Sequence, residues 1–201
     1  MKKIVAIDMD DVLADSVTFW HAEINRRTGA SIPLEAYKQP ADFNGYYERV
    51  WQQHGIGESF TFADIDSHMV QDQSGIKGYA QSLEVLTLLA ERYELCIVTA
   101  RNNDQEAATK RWLESFYPGL FKVVRFASDP QRKMVISKGE ICKELGASWL
   151  VDDNPDNCES ALEYGVKAVL FGEYGWHHKK PYGMPHCKDW PAVLEYFNGQ
   201  R

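Results

Sequence analysis

No stretch of the 201 residues approaches the ~18–20 consecutive apolar positions that a membrane-spanning helix needs. The apolar run near the start stops at Asp8, short of the ~7–15-residue core of a secretory signal. A cytoplasmic location without a membrane partner is therefore the expectation. Cysteine is sparse, and Cys96, Cys142, Cys158 and Cys187 stand far apart with no C-x-x-C pair. That spacing speaks for reduced, buried thiols and against a metal knuckle or a disulfide scaffold. Basic residues are outnumbered, 22 against 29 acidic, for a net charge of −7. Proteins that bind duplex nucleic acid along an extended surface usually show the opposite balance, although a local basic pocket remains compatible. Repeats and low-complexity tracts are missing as well. What remains, at 44% hydrophobic and 25% charged, is a globular chain of one domain plus a modest insertion.

Short apolar, β-branched runs read as buried strands at Lys3–Ile7, Glu94–Thr99, Lys122–Ala127, Ser148–Asp152 and Val166–Phe171. Helical patterns fill the gaps at Tyr79–Arg92, Asp104–Phe116, Lys138–Leu145 and Asn157–Tyr164, and a last helix is expected over Trp190–Phe197. Gly146 and Gly165 fall where a helix C-cap precedes a strand. Strands alternating with helices of this length predict a parallel sheet wound with right-handed crossovers. The interval 16–76 breaks the rhythm. It carries helical patterns at Ser16–Arg27 and Tyr46–His54, and it is too long for a strand-to-helix connection and too short for an independent domain. It reads as a helical cap inserted after the first strand, with residues 1–15 and 77–201 forming the core.

In an open α/β sheet, ligands bind outside the carboxyl ends of the strands. Those ends here deliver Asp8, Asp10 and Asp11, then Thr99, Ala100 and Arg101, then Asp152 and Asp153. Strand alternation places Asp8 and Asp10 on one side and turns Met9 away. Any one of these acidic clusters taken alone could be a capped turn. Two converging on one edge would raise each other's pKa unless a positive charge lay between them. Mg²⁺, with its preference for oxygen ligands, suits such a site.

Ile7-Asp8-Met9-Asp10-Asp11-Val12-Leu13, Thr99, Lys138 and Val151-Asp152-Asp153 resemble, in order, the four motifs of the haloacid-dehalogenase-type phosphohydrolases. Asp8 to Asp15 and the Asp-Asp-Asn-Pro run are most similar to the 5'(3')-deoxyribonucleotidase branch and its bacterial relatives. The resemblance implies a Rossmann-like parallel sheet with helices on both faces and a small helical cap after the first strand. It implies Asp8 as nucleophile, Asp10 as general acid and base, Thr99 as a phosphate contact and Lys138 as the charge-neutralising lysine. Asp8, the Asp10 carbonyl, and Asp152 or Asp153 would hold Mg²⁺. Lys133 competes with Lys138 for the lysine role. Lys138 is preferred because it opens a helix aimed at the site. Arg101 is either a bidentate contact to the substrate or a solvated surface residue. Asn154 departs from the mammalian-type enzymes, which carry a basic residue there.

The cap sets substrate choice in such an architecture. Phe43, Tyr46, Tyr47 and Trp51 fall within nine residues and either stack on a nucleobase or form the cap's own core, with Phe43 and Tyr47 as the substrate-binding candidates beside Ala100 and Arg101. Eight acidic residues against four basic make the cap itself unhelpful to an anion, whereas the loop Trp176–Lys188 offers histidines and lysines. The reading is a Mg²⁺-dependent phosphomonoesterase acting on (deoxy)ribonucleoside monophosphates. Its partner is a small phosphorylated substrate, with homodimerisation open. Alternatives are a phosphatase for a sugar phosphate or a polynucleotide 3'-phosphate end, or a non-hydrolytic phosphate-binding or signalling protein. A signalling receiver, however, needs neither the insertion nor Asp10.

Overall fold

The computed structural model describes residues 2–129 and 134–200. Strand β1 (Lys3–Ile7) is followed by α1 (Ser16–Thr28), a 3₁₀ turn at Leu34–Lys38, α2 (Tyr46–Gln53) and α3 (Phe62–Gln71). The rest alternates: α4 (Ser82–Arg92), β2 (Tyr93–Asn102), α5 (Glu106–Phe116), β3 (Phe121–Asp129), β4 (Met134–Val135), α6 (Lys138–Glu144), β5 (Ala147–Asp152), α7 (Pro155–Glu163), β6 (Lys167–Phe171), β7 (His186–Cys187) and α8 (Trp190–Asn198). The sheet runs β4-β3-β2-β1-β5-β6-β7 and is parallel except where β4 pairs antiparallel with β3. This is the expected α/β architecture, a Rossmann-like sheet.

Alternation along the strands builds two cores. Val5 and Ile7 of β1 join one apolar cluster with Leu86 and Leu89 of α4, Trp112 of α5 and Val193 and Phe197 of α8. Ala6 joins the other, with Ile141 of α6 and Cys158 and Ala161 of α7. Successive side chains point to opposite faces, so a strand apolar at every position needs helices on both sides. All four cysteines are buried and unpaired. No described helix is long and apolar enough to cross a membrane.

Gly146 and Gly165 close α6 and α7 with φ of 68° and 78°, a conformation that costs glycine little. Several predicted boundaries move. Helix α4 starts at Ser82, not Tyr79, because Gln81 takes φ 63° and interrupts the turn. Helix α3 was not expected at all. The apolar residues of 16–76 do not form a core of their own: Tyr37, Tyr46, Trp51 and Met69 belong to the same cluster as Val5 and Ile7.

The chain builds outward from β1 in one direction to β2 and β3, then returns to build β5, β6 and β7 on its other side. The winding reverses beside β1, so the carboxyl ends of β1 and β5 flank the crevice such a reversal creates. Asp8 directly follows β1, and Asp152 ends β5 with Asp153 next to it.

Candidate active site

Lys138, the first residue of α6, lies between these strand ends. Its Nζ is 2.6 Å from Asp8 Oδ1 and 2.7 Å from Asp152 Oδ2, all three residues being buried. Ser137 caps the helix through Glu140 N, which fixes where Lys138 emerges. The other oxygen of Asp152 accepts from Asn154 N at 2.9 Å and Asn157 Nδ2 at 3.0 Å. Carboxylate oxygens of Asp8, Asp152 and Asp153 come within 4.8 Å of one another. Lys133 lies outside the described residues.

Three buried carboxylates thus share one buried ammonium. Burial pushes the Asp8 carboxyl up to about 7 against the pull of Lys138, with Asp152 and Asp10 adding repulsion. Asp153 is raised well above the carboxylate range by burial and by Asp152, Asp8 and Asp11. Lys138 is raised: burial opposes its charge, but Asp152 and Asp8 outweigh it. The remaining negative charge, set on hard oxygen donors in a small space, fits a divalent cation of the Mg²⁺ type.

Asp10 is handled differently. Its carboxylate is not in that group of three. It accepts from Arg101 through Nε at 2.8 Å and Nη2 at 2.7 Å, and from Ser16 Oγ at 2.5 Å. Burial works to raise its pKa, but Arg101 and Ser16 prevail and hold it below the usual value. Arg101 is itself buried and anchored further by Gln73 Oε1 at 2.6 Å and Thr109 Oγ1 at 3.1 Å. It is therefore not a solvated surface arginine. Thr99 is fully buried, and its hydroxyl accepts from Arg101 N at 3.2 Å. It does not line the cavity described below.

Asp11 adopts φ 58°, a left-handed turn that aspartate tolerates better than most residues. Its buried carboxyl accepts from Val17 N at 2.9 Å and lies 3.4 Å from Tyr47 Oη. Burial, opposed by the Val17 bond and reinforced by Asp10, Asp15 and Asp8, raises it well above the ordinary value.

A cavity of about 610 Å³ opens from this ionic floor. Asp8, Asp10, Asp153, Lys138, Ala100 and Arg101 line one end, as the sequence predicts, and Phe43 and Tyr47 belong to its apolar wall. Tyr46 and Trp51 do not line it and are packed into the core. Sequence reasoning missed Phe62, Ile65, Asp66 and Met69 because it missed α3, although Thr61-Phe-Ala-Asp64 forms a capping box. Among the described residues, no side chain of the basic loop after β6 lines the cavity. His177 is buried, with Nε2 donating to Asp153 O at 2.6 Å, while His178 lies 3.3 Å from Asp42, and neither lines the cavity.

An open parallel sheet whose central strand ends are acidic and joined by a lysine is the architecture of the haloacid-dehalogenase-type hydrolases. Solved structures share it: an L-2-haloacid dehalogenase of Xanthobacter autotrophicus aligns over all of both chains with a TM-score of 0.63 at 15% identity. A haloacid-dehalogenase-like hydrolase of Streptococcus pneumoniae aligns over 98% of both with a TM-score of 0.59 at 14% identity. In sequence, the chain is 31% identical over 201 residues to a Staphylococcus aureus (strain MSSA476) protein provisionally named 5'(3')-deoxyribonucleotidase, covering 98% of this chain and 96% of that one. A Bacillus subtilis (strain 168) protein named 5'(3')-deoxyribonucleotidase is 26% identical over 164 residues, 80% of this chain and 81% of its own. No family model matches. The chain belongs to the 5'(3')-deoxyribonucleotidase family within the haloacid-dehalogenase-type hydrolases and is a phosphoric monoester hydrolase.

Proposed function

We propose that the protein is a Mg²⁺-dependent phosphatase that releases phosphate from deoxyribonucleoside monophosphates through a phosphoaspartate on Asp8. The observation that carries this is the position of Lys138 between Asp8 and Asp152, with Asp153 beside them, in a cavity that Phe43, Tyr47 and Phe62 also line. Asp8 attacks phosphorus, and the ester oxygen leaves with a proton from Asp10, which takes that proton up when the substrate's phosphate dianion arrives beside it and offsets the pull of Arg101. Asp10 then takes a proton from water, which attacks the phosphoaspartate, frees phosphate and restores Asp8. Lys138 neutralises the nucleophile and the phosphoryl oxygens. Asp8, Asp152, Asp153 and the Asp10 carbonyl would hold Mg²⁺, which would supply charge compensation during phosphoryl transfer.

Residues 16–76 serve as the cap on this site, and the names of the relatives support a nucleotide as the substrate it selects. Phe43, Tyr47 and Phe62 provide flat apolar surface at the cavity, the chemistry that accepts a base. The test is a screen of deoxyribonucleotides, ribonucleotides, sugar phosphates and 3'-phosphorylated oligonucleotides, with Mg²⁺ or with EDTA. Turnover of deoxyribonucleotides that EDTA abolishes and Mg²⁺ restores is expected. Equal turnover in chelator, or sugar phosphates preferred over nucleotides, overturns the proposal.

A further inference from the structure

We infer that Trp176 is the positioning residue of the metal site, holding Asp153 through its indole N–H while its ring props the aromatic wall of the substrate cavity. The inference rests on the proposed Mg²⁺ site. Trp176 sits in the 3₁₀ turn Gly175–Lys179 after β6 and is buried. Its Nε1 donates to Asp153 O at 3.1 Å and to Asp153 Oδ2 at 3.0 Å. The backbone carbonyl does not need this bond, because His177 Nε2 already donates to it at 2.6 Å. What the indole adds is a charge-assisted bond to the carboxylate. That bond occupies Oδ2 and fixes the side-chain rotation. Oδ1 receives no hydrogen bond among the described residues, and the Asp153 carboxyl keeps an oxygen within 4.8 Å of oxygens of Asp8 and Asp152. Groups that hold a metal ligand from behind in this way set its orientation and basicity.

The indole is itself fixed from several directions. It stacks on Tyr174 at 4.6 Å with planes 4° apart, and Tyr174 Oη donates to Asp11 O at 2.6 Å. Phe43 and Tyr46 meet it edge-on at 5.5 Å and 5.1 Å. The turn can come this close only because residue 175 is glycine, since a Cβ there would collide with Tyr46 Oη and the Gln39 carbonyl. The ring that aims Asp153 is therefore the ring against which Phe43, a cavity-lining residue, is packed.

Trp176→Phe keeps an aromatic body and deletes the donor, so it separates positioning from packing. Metal-free protein is titrated with MgCl₂ by calorimetry and with Mn²⁺ by electron paramagnetic resonance, beside melting curves in EDTA. Trp176→Phe is expected to bind both ions about 10–100-fold more weakly than wild type, the usual effect of losing such a partner. Trp112→Phe, which deletes a buried indole N–H donating to Ile76 O, is expected to leave metal affinity unchanged. If Trp176→Phe melts early in EDTA, benzothienylalanine at 176 provides the indole shape without the N–H. Wild-type affinity in the donor-less protein overturns the inference alone. A wild type that binds neither ion overturns it together with the metal reading.

Discussion

Arg101 grips Asp10 with a two-pronged pair, Nε to Oδ2 at 2.8 Å and Nη2 to Oδ1 at 2.7 Å, while its Nη1 is held by Gln73 and Thr109. The three partners come from the turn after β1, the end of the segment 16–76 and helix α5. Asp10 thereby has one orientation before substrate arrives. General acid–base help is worth about 10²–10⁴-fold, and orientation is part of it. Arg101→Lys keeps the charge and loses the fork. It is expected to lower kcat by about 10-fold or more with little change in KM. The loss should be larger for a nucleotide, whose alkoxide leaves poorly, than for p-nitrophenyl phosphate. A raised KM with kcat intact would instead make Arg101 a phosphate contact.

Lys138 is the only cation that contacts Asp8 and Asp152 among the described residues, and it is buried with them. Removing one partner of a buried ion pair typically costs about 3–5 kcal/mol, because the other charge is stranded. Lys138→Met should lose about that much stability in EDTA, measured by urea denaturation, and Mg²⁺ should recover part of it. A loss below about 1 kcal/mol would show that the carboxylates tolerate one another without the lysine.

In the proposed site, a bound Mg²⁺ would compete with a proton for Asp8. Its pKa, raised to about 7 in the folded protein without metal, means that it carries a proton below that pH which Mg²⁺ must displace. The unfolded chain holds no such proton above about pH 4. The stabilising contribution of that proton is therefore full below about pH 4 and lost as pH rises to about 7. Mg²⁺ acts in the opposite sense and stabilises most where Asp8 is ionised. The rise in Tm caused by MgCl₂ is expected to be clearly larger near pH 8 than near pH 6. Taking the difference with and without Mg²⁺ cancels the groups that titrate elsewhere. An increment independent of pH would mean that Asp8 does not face the ion.

The sheet was legible because its strands are apolar on both faces, a pattern that few other structures produce. Asp8, Asp152 and Asp153 were legible because strand ends in such a sheet share one edge, and Lys138 because the motif resemblance and its place at a helix start single it out. Local signals were less complete for 16–76. Helix α3 carries Asp64, Asp66, Ser67 and His68 between its apolar residues, so its periodicity is weak, and only the capping box at Thr61 marked its start. Strands β4 and β7 are two residues each, too short for alternation to register. The partners of Arg101 and Trp176 could not be read at all. Asp10 is 91 residues from Arg101, and Asp153 is 23 from Trp176, so only the folded chain brings them together.

Of the four aromatic residues clustered in 16–76, the sequence offers Phe43 and Tyr47 as the substrate-binding candidates, and the surroundings of the four differ. Trp51 is 1% exposed, with Nε1 donating to Tyr37 Oη at 3.2 Å, and Tyr46 is 2% exposed, with its hydroxyl donating to Gln39 O at 2.7 Å. Phe43 is 39% exposed and, with Tyr47, lines the cavity. The first pair is packed into the core and the second faces the cavity. Trp51→Ala should lower stability by about 3–5 kcal/mol and affect all substrates alike through loss of folded enzyme. Phe43→Ala and Tyr47→Leu should act on substrates that carry a base. Losing a stacking ring costs about 1–3 kcal/mol, or about 5–150-fold in kcat/KM for a deoxyribonucleoside monophosphate. p-Nitrophenyl phosphate and small sugar phosphates should change far less, because Asp8, Asp10 and Lys138 are untouched. Kinetics on both substrate types must run beside melting curves, since Tyr47 also touches Asp11 at 3.4 Å and its loss can disturb the floor. Equal losses on every substrate for both variants, at unchanged Tm, would remove the aromatic wall from base recognition and leave a phosphatase with no support in this cavity for a nucleotide.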